Sequence, residues 1–195
     1  YTFVTSTARR KALLLSQREP EADTNITLSR SYNEALDPVL TKAKQALDYF
    51  LLVGPPGTGK TSMALRFLVE EQLATCPEGG ILLMAYTNRA VDEICGMLVE
   101  AGVDFIRIGS KLSCAVAYEP FLLSSVVGSR PTLEHIRQKL GRARVIVGTT
   151  SMIQSRDYIF NLRHFSLAIV DEASQILEPG IIGLLSSHRR GQTTG

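Results

Sequence analysis

The chain has 195 residues, of which 45% are hydrophobic, enough to bury one substantial core with or without a short extension. Its formal net charge of +2 does not by itself indicate a nucleic-acid partner, because a strong electrostatic footprint needs basic side chains clustered on one face. No apolar run of about 18 residues and no secretion pattern occur, so we expect no membrane span and a cytoplasmic location, or a nuclear one in a eukaryote.

The first half of the chain contains a polar lead-in and the first predicted elements. Residues 1–36 are polar and mixed, and we interpret them as a lead-in to a domain that fills residues 37–195. Asp37 followed by Pro38 predicts a helix N-cap and a helix that runs to about Leu47. The run YFLLVG (49–54) predicts a strand buried on both faces, and a helix is expected over about 59–74.

Strands and helices then alternate along the rest of the chain. Four further apolar runs predict strands: GILLMAY (80–86), DFIRIG (104–109), RVIVGTT (144–150) and SLAIVDEAS (166–174). Helical patterns occupy 88–102 and 132–143. This alternation indicates an α/β fold in which a parallel sheet of at least five strands carries helices on both faces.

The stretch GPPGTGKT fits G-x-x-x-x-G-K-[ST] at every fixed position and stands between a predicted strand and a predicted helix. Glycines let successive N–H groups point inward as an anion nest, to which the helix start adds its positive dipole end. Lys60 would reach the β- and γ-phosphates of ATP, and the Thr61 hydroxyl would bind Mg²⁺. A glycine-rich turn with an incidental lysine is the alternative. The predicted nucleotide-binding residues are Gly54, Pro55, Gly57, Thr58, Gly59, Lys60, Thr61 and Ser62.

Two acids end the last apolar run, LAIVDE. Asp171 is expected at the carboxyl edge of a buried strand, where parallel sheets bind ligands, and is the predicted second ligand of Mg²⁺. Glu172 would accept a proton from an attacking water, so Glu172 and Lys60 are the predicted catalytic residues. Acids are also favoured at the start of a helix, and only the P-loop weighs against that simpler explanation.

Four stretches together resemble the motifs of a known family. In chain order, GPPGTGKT, AYTNRAVDEI, VIVGTTS and IVDEASQ are similar to motifs I, Ia, Ic and II of superfamily 1 helicases. The match looks like group B, in the branch of the nonsense-mediated-decay RNA helicase, senataxin and the flap-processing nuclease-helicase. Over about residues 37–185, the resemblance implies the first RecA-like domain of a P-loop NTPase motor. It also implies a nucleotide-binding role for Gln175.

The resemblance further implies that five polar residues after two predicted strands contact single-stranded DNA or RNA: Thr87, Asn88, Thr149, Thr150 and Ser151. Hydroxyl and amide groups on strand-end loops suit phosphates and carry no base readout. A motor that moves along any sequence needs such contacts. The same residue types favour helix N-caps, a role for which Asn88 and Thr150 are candidates.

Two features depart from the family pattern. Gln45 lies nine residues before Gly54, inside a predicted helix, and the region near Asp37 offers no glutamine to recognise adenine. Motif III and the second RecA-like domain, the expected partner, do not follow within the chain. We therefore expect little or no hydrolysis from this domain alone, since arginines supplied in trans contribute about 10³–10⁵ in rate.

Other classes stay open at this point. An AAA+ ATPase would share GPPGTGKT, but it typically has a shorter interval between its P-loop and its acids. A nucleotide-binding module without turnover would share the loop too, although intact Lys60, Asp171 and Glu172 count against degeneration. A small-molecule kinase would need an acceptor pocket and lid arginines, for which no clear pattern exists. The sequence does not distinguish RNA from DNA, and 5′ to 3′ polarity is implied only by the resemblance.

Overall fold

In a computed structural model of the chain, the structure describes residues 12–13, 18–53, 63–156 and 158–176. The chain divides into two compact units, Tyr1–Thr75 and Cys76–Gly195. The boundary between a lead-in of residues 1–36 and a domain of residues 37–195 stays a prediction.

The first unit contains helix α1 (Asp37–Gln45) and helix α2 (Leu65–Thr75). Helix α1 starts where Asp37 and Pro38 predicted it and ends two residues earlier than expected. Its N-cap is Leu36, however, so the prediction that Asp37 is the cap is wrong. The Asp37 carboxylate instead accepts the N–H groups of Tyr32 and Asn33 at 3.0 Å each. The acid therefore stabilises the turn that leads into the helix.

The predicted strand at 49–54 is wrong for residues 49–53, which form no strand. Their side chains are exposed, with 91% of Val53 accessible to solvent. An apolar run indicates that burial is favourable, but it does not specify a strand partner. Gly54 and the first residues of the predicted helix at 59–74 lie outside the described residues, and α2 confirms the rest of that helix.

The second unit contains a four-stranded parallel sheet, which confirms the α/β class. Its strands are β1 (Gly80–Ala85), β2 (Ile106–Ile108), β3 (Val145–Thr149) and β4 (Phe165–Asp171). They pair in the order β2-β3-β1-β4, so β1 and β3 occupy the centre. These are four of the five or more strands that the sequence predicted.

Helices connect the strands of the second unit. The helices are α3 (Asn88–Glu100), α4 (Leu123–Val127), α5 (Leu133–Arg142), α6 (Thr150–Gln154) and α7 (Ile159–Leu162). Among the described residues of this unit, three short 3-10 helices lie at Lys111–Ser113, Val116–Phe121 and Ala173–Gln175. The helical patterns at 88–102 and 132–143 are confirmed by α3 and α5.

Burial differs among the strands of the sheet. Every residue of β1 and β3 is buried, as expected for strands with a neighbour on both sides. Helix α3 contributes an apolar face that includes Val91, Ile94 and Leu98. The two outer strands differ from each other: every residue of β2 is buried, whereas Phe165 is the one buried residue of β4. The strand before Asp171 exists as predicted, but the expectation that it is buried is wrong.

Candidate functional site

The carboxyl ends of three parallel strands meet at one edge of the sheet. Ala85, the last residue of β1, is in register with Thr149 of β3 on one side and with Asp171 of β4 on the other. The predicted magnesium ligand and the loops after β1 and β3 therefore begin at the same level of the sheet. In open α/β sheets, this edge is where ligands bind.

The two acids differ in backbone conformation. Glu172 has φ 52° and ψ 35°, in the left-handed region, and is the one non-glycine residue with positive φ in the described ranges. A left-handed conformation costs an L-residue about 1–2 kcal/mol, so the surrounding fold has to hold it. The backbone N–H of Glu172 donates to Asp171 Oδ1 at 3.0 Å. This local bond fixes the turn that ends β4.

One explanation for the two acids was that they stabilise the start of a helix. The backbone after β4 does not favour this explanation. Glu172 is the N-cap of Ala173–Gln175, but its side chain makes no capping hydrogen bond. That element is a 3-10 helix of three residues, which provides little helix dipole for an acid to stabilise. Gln175 lies at its end and is exposed. The catalytic, metal-binding and nucleotide-binding roles of these residues stay predictions.

A single carboxylate at this edge fits a magnesium site of the P-loop kind. Mg²⁺ prefers oxygen ligands and is usually held by one or two carboxylates together with phosphates and waters. Asp171 has a carboxylate at this edge that would serve as one such ligand, next to an exposed Glu172. Within the described ranges, no three His, Cys, Asp or Glu side chains gather into a metal site made by the protein alone.

The predicted P-loop residues all lie outside the described residues. They are Gly54, Pro55, Gly57, Thr58, Gly59, Lys60, Thr61 and Ser62. Gln45, the glutamine nearest to that loop on its N-terminal side, is described. Its side-chain amide donates to the carbonyl groups of Thr24 at 3.2 Å and Ile26 at 2.9 Å. The amide therefore holds the segment before α1, and Gln45 is the last residue of that helix, which confirms its predicted helical position.

The helix N-caps lie one residue earlier than predicted. Thr87 caps α3 by accepting the N–H of Ala90 at 3.1 Å, and Thr149 caps α6 by accepting the N–H of Met152 at 3.3 Å. Asn88 and Thr150 are the first residues of these helices, so their assignment as possible caps is wrong. Both helices therefore begin directly at the sheet edge.

Burial separates the five predicted nucleic-acid contacts into two groups. Asn88 and Ser151 are exposed, whereas Thr87 is half-buried and Thr149 and Thr150 are buried. The Thr149 hydroxyl lies 3.2 Å from that of Ser151, so these two side chains form one polar pair. Asn88 and Ser151 have the best access to a ligand. Contact between all five residues and nucleic acid stays a prediction.

Two exposed residues at the same edge were not singled out from the sequence. Tyr86 is 52% exposed directly after β1, and the Arg89 side chain is 91% exposed in the first turn of α3. Both lie inside the AYTNRAVDEI motif. The exposure of Tyr86 was predictable from the sequence, because Tyr86 is the last apolar residue of a predicted strand and a polar capping residue follows it. For Arg89, the motif gave no indication of exposure.

An ion pair between a buried arginine and a partly exposed aspartate joins motif Ia to strand β2. Arg107 of β2 is 1% exposed, and its guanidinium forms an ion pair with Asp92 of α3. Arg107 also donates to the Ser113 carbonyl at 3.0 Å, and Asp92 accepts the N–H of Ala115 at 3.4 Å. The pair thus connects α3, β2 and the loop after β2. Sequence analysis missed it, although a lone arginine within the apolar run DFIRIG was a usable indication.

In the first unit, a buried carboxylate holds the segment before α1. Glu71 of α2 accepts the Ser29 N–H at 2.9 Å, the Ser29 hydroxyl at 2.6 Å and the Tyr32 hydroxyl at 2.8 Å, and pairs with Lys44. Burial alone would raise the pKa of Glu71, but the hydrogen bonds from Lys44, Ser29 and Tyr32 outweigh it. Together they lower the pKa from 4.5 to about 2.

Comparison with known proteins gives a consistent set of similarities. A family model described as an AAA domain matches residues 27–136. The chain is 31% identical over 197 residues to the DNA replication ATP-dependent helicase/nuclease DNA2 of Mus musculus, covering 93% of this chain and 18% of that protein. It is 35% identical over 157 residues to the helicase/nuclease JHS1 of Arabidopsis thaliana, covering 80% of this chain and 11% of that protein.

Further similarities extend to an RNA helicase and to a solved structure. The chain is 30% identical over 167 residues to the RNA helicase Mov10l1 of Homo sapiens, covering 83% of this chain and 14% of that protein. The crystal structure of UvsW of bacteriophage T4 matches with a TM-score of 0.57 and 14% identity, over 92% of this chain and 32% of that one. The chain spans less than a fifth of the length of each of these three curated relatives. Among the helices of the described residues, none is long and apolar enough to cross a membrane.

Proposed function

The chain belongs to the AAA domain family and is the first RecA-like domain of a superfamily 1 helicase, as its motifs predicted, and from this premise we propose its function. It is the ATP-binding motor domain of a helicase that couples ATP hydrolysis to movement along nucleic acid or to its unwinding. The observation that carries the proposal is the shared sheet edge, where Ala85 is in register with both Thr149 and Asp171. The predicted magnesium ligand ends β4, and one predicted nucleic-acid loop follows the adjacent strand β1. A nucleotide site and a nucleic-acid site this close together suit a motor.

The nucleotide side of the proposal rests on the two acids and on the P-loop sequence. The backbone N–H groups of the loop and Lys60 would bind the phosphates, and Gln175 would contribute to the same site. Thr61 and Asp171 would hold Mg²⁺, whose charge offsets that of the β- and γ-phosphates. Glu172 is exposed and follows Asp171 directly, so its carboxylate would take the proton of the attacking water.

The nucleic-acid side of the proposal rests on exposure at the same edge. Asn88 and Ser151 would contact phosphates directly, because their polar side chains are exposed on adjacent strand ends. The less exposed residues would hold the backbone of the two loops and would offer a hydroxyl group to a phosphate where they are accessible. These residues are Thr87, Thr149 and Thr150. The substrate is a single-stranded DNA or RNA of any sequence. A second RecA-like domain as partner and a cytoplasmic or nuclear location stay predictions.

The AAA+ alternative receives less support than the motor. The matching family is described as an AAA domain, which is compatible with any P-loop ATPase of that class. The relatives that align with 80% or more of this chain, however, are named helicases. Motifs Ia and Ic, which an AAA+ ATPase does not require, also fall on the loops at the ligand edge.

The nucleotide assignment is tested by calorimetry with Mg²⁺ and ATP on this chain. We expect Lys60→Ala to abolish binding, because Lys60 supplies the side-chain charge for the phosphates. The matched control is Lys139→Ala, which replaces an exposed lysine of α5 and should leave ATP binding unchanged. Unchanged affinity in Lys60→Ala would mean that the loop does not hold the nucleotide.

The motor assignment is tested on the intact helicase that contains this domain. Its ATPase rate should rise when single-stranded oligonucleotides of arbitrary sequence are added. This stimulation should weaken with salt, because each phosphate contact on a single strand lowers log affinity by about 0.7 per log unit of salt. If neither DNA nor RNA changed the ATPase rate at low salt, this result would contradict the motor assignment and favour the AAA+ alternative.

A further inference from the structure

The buried carboxylate of Glu71 joins three parts of the first unit. Glu71 lies on α2, and its carboxylate accepts the Ser29 N–H at 2.9 Å and the Tyr32 hydroxyl at 2.8 Å. It also pairs with Lys44 of α1, whose ammonium group donates to the Thr27 carbonyl at 2.8 Å. One carboxylate therefore connects α2 both with α1 and with the segment that precedes α1.

The contacts of this carboxylate are directional and largely shielded from water. The Glu71 side chain is 3% exposed and that of Lys44 is 18% exposed. Hydrogen bonds to a charged group are stronger than neutral ones, and a satisfied buried network specifies one arrangement of the elements around it. The apolar contacts of α2, such as those of Leu65 and Val69, have no preferred direction. The network therefore fixes the tilt and rotation of α2 more closely than apolar packing does.

Helix α2 is the helix that follows the P-loop sequence. It begins at Leu65, four residues after Thr61. The part of α2 from Leu65 to Glu71 spans about 9 Å, at about 1.5 Å per residue. Glu71 therefore lies too far along the helix to touch a phosphate that binds before Leu65. It can influence a bound nucleotide only through the orientation of α2.

We propose that Glu71 and Lys44 are positioning residues for the P-loop, and that they couple the segment at residues 27–32 to the nucleotide. The inference rests on the proposed function, because it requires that the P-loop binds ATP. Phosphates bind where the N–H groups at a helix start are aimed at them, and a misplacement of about 1 Å can cost about 10²-fold in rate. Coupling is reciprocal, so bound ATP should in turn stabilise the contacts between Glu71 and the segment.

The experiment measures the affinity of this chain for ATP and for tripolyphosphate, each with Mg²⁺, by calorimetry. Lys44→Met removes the ammonium group that pairs with Glu71, whereas Lys44→Arg keeps a cation there. Tyr32→Phe is a milder variant, because it removes one hydrogen bond to Glu71 and keeps the ring. Lys42→Met is the matched control, since Lys42 is an exposed lysine of the same helix. Circular dichroism establishes that each variant is folded at the temperature of the measurement.

Coupling between two sites typically changes an affinity by roughly 5- to 150-fold. We expect Lys44→Met to weaken ATP binding within this range and Tyr32→Phe to weaken it less. Tripolyphosphate should lose affinity by the same factor as ATP, because the P-loop contacts the phosphates. Lys44→Arg and Lys42→Met should bind both ligands like the wild type.

Hydrogen exchange tests the coupling from the opposite direction. Saturating ATP with Mg²⁺ should slow exchange of the Ser29 amide in the wild type, because this amide donates to Glu71. The same protection should be absent in Lys44→Met at saturating ATP. Protection that persists in Lys44→Met would come from general stabilisation by the ligand, and it would contradict the coupling.

Three calorimetric results would overturn the inference, and they can be told apart. Wild-type affinity in folded Lys44→Met and Tyr32→Phe would show that the network does not position the P-loop, while leaving the proposed function intact. If Lys44→Met did not fold, Tyr32→Phe alone would decide this point. A loss of affinity for ATP but not for tripolyphosphate would assign the effect to the base or the sugar. Failure of the wild type to bind ATP would overturn the proposed nucleotide function together with the inference.

Discussion

Replacement of Glu71 by glutamine tests how a single buried charge stabilises the first unit. Glu71 is 2% exposed and is the common acceptor for Ser29, Tyr32 and Lys44. Its pKa falls from 4.5 to about 2 on folding. At about 1.4 kcal/mol per pKa unit, this difference contributes about 3 kcal/mol to the free energy of unfolding. Glutamine keeps the shape of the side chain but loses the charge.

The sign of the effect gives the expected pH dependence. Because the folded-state pKa is lowered, the contribution is complete above about pH 4.5 and is lost as the pH falls toward 2. Glu71→Gln should therefore cost about 3 kcal/mol at neutral pH and only about 1 kcal/mol near pH 3. Urea unfolding followed by circular dichroism measures both values.

Glu70→Gln provides the matched control on the same helix. Glu70 pairs with Arg30 and Arg66 at 2.7 Å each, but both arginines are substantially exposed. Such surface pairs contribute about 1 kcal/mol or less, so this variant should unfold nearly like the wild type. If Glu71→Gln cost the same at neutral pH and near pH 3, the charge of Glu71 would not be the source of its contribution.

The remaining predictions concern the second unit. Arg107→Met should lower the free energy of unfolding by about 3 kcal/mol, because it leaves Asp92 without its buried partner, whereas Arg107→Met combined with Asp92→Leu should recover most of that loss in urea unfolding. A double variant as unstable as the single one would refute this explanation. In the intact helicase, Glu172→Gln should stop ATP turnover in a steady-state assay and leave ATP bound, because the amide cannot accept a proton. Wild-type turnover in that variant would exclude Glu172 as the base.

The sequence was most informative where local chemistry decides the structure. Continuous apolar runs gave β1 and β3 nearly to the residue, because a central parallel strand buries both of its faces. The same rule failed at residues 49–53 and overstated the burial of β4. An apolar run shows that burial would be favourable, whereas its actual burial depends on which strands and helices pack beside it.

The candidate site shows the same limit at the level of single residues. The order of the motifs placed Asp171 and the loops after β1 and β3 at one edge, because parallel strands all end on the same side. The caps were predicted one residue late, since Thr and Asn differ little in capping strength and the helix boundary decides between them. The pairing of Arg107 with Asp92 joins residues on different elements. Its existence depends on how helix α3 packs on the sheet, since only that packing brings Asp92 to Arg107.

The N-cap at Thr87 has a consequence for how the first loop meets a phosphate. A hydroxyl group has two acceptor lone pairs and one proton, and the bond from the Ala90 N–H uses only a lone pair. The cap therefore fixes the oxygen and leaves its proton for donation, so capping a helix and contacting a phosphate are compatible in one side chain. Serine at this position would keep both abilities, whereas valine would lose both together. Because the oxygen is anchored to the first turn of α3, any shift of that helix would carry the hydroxyl along with it.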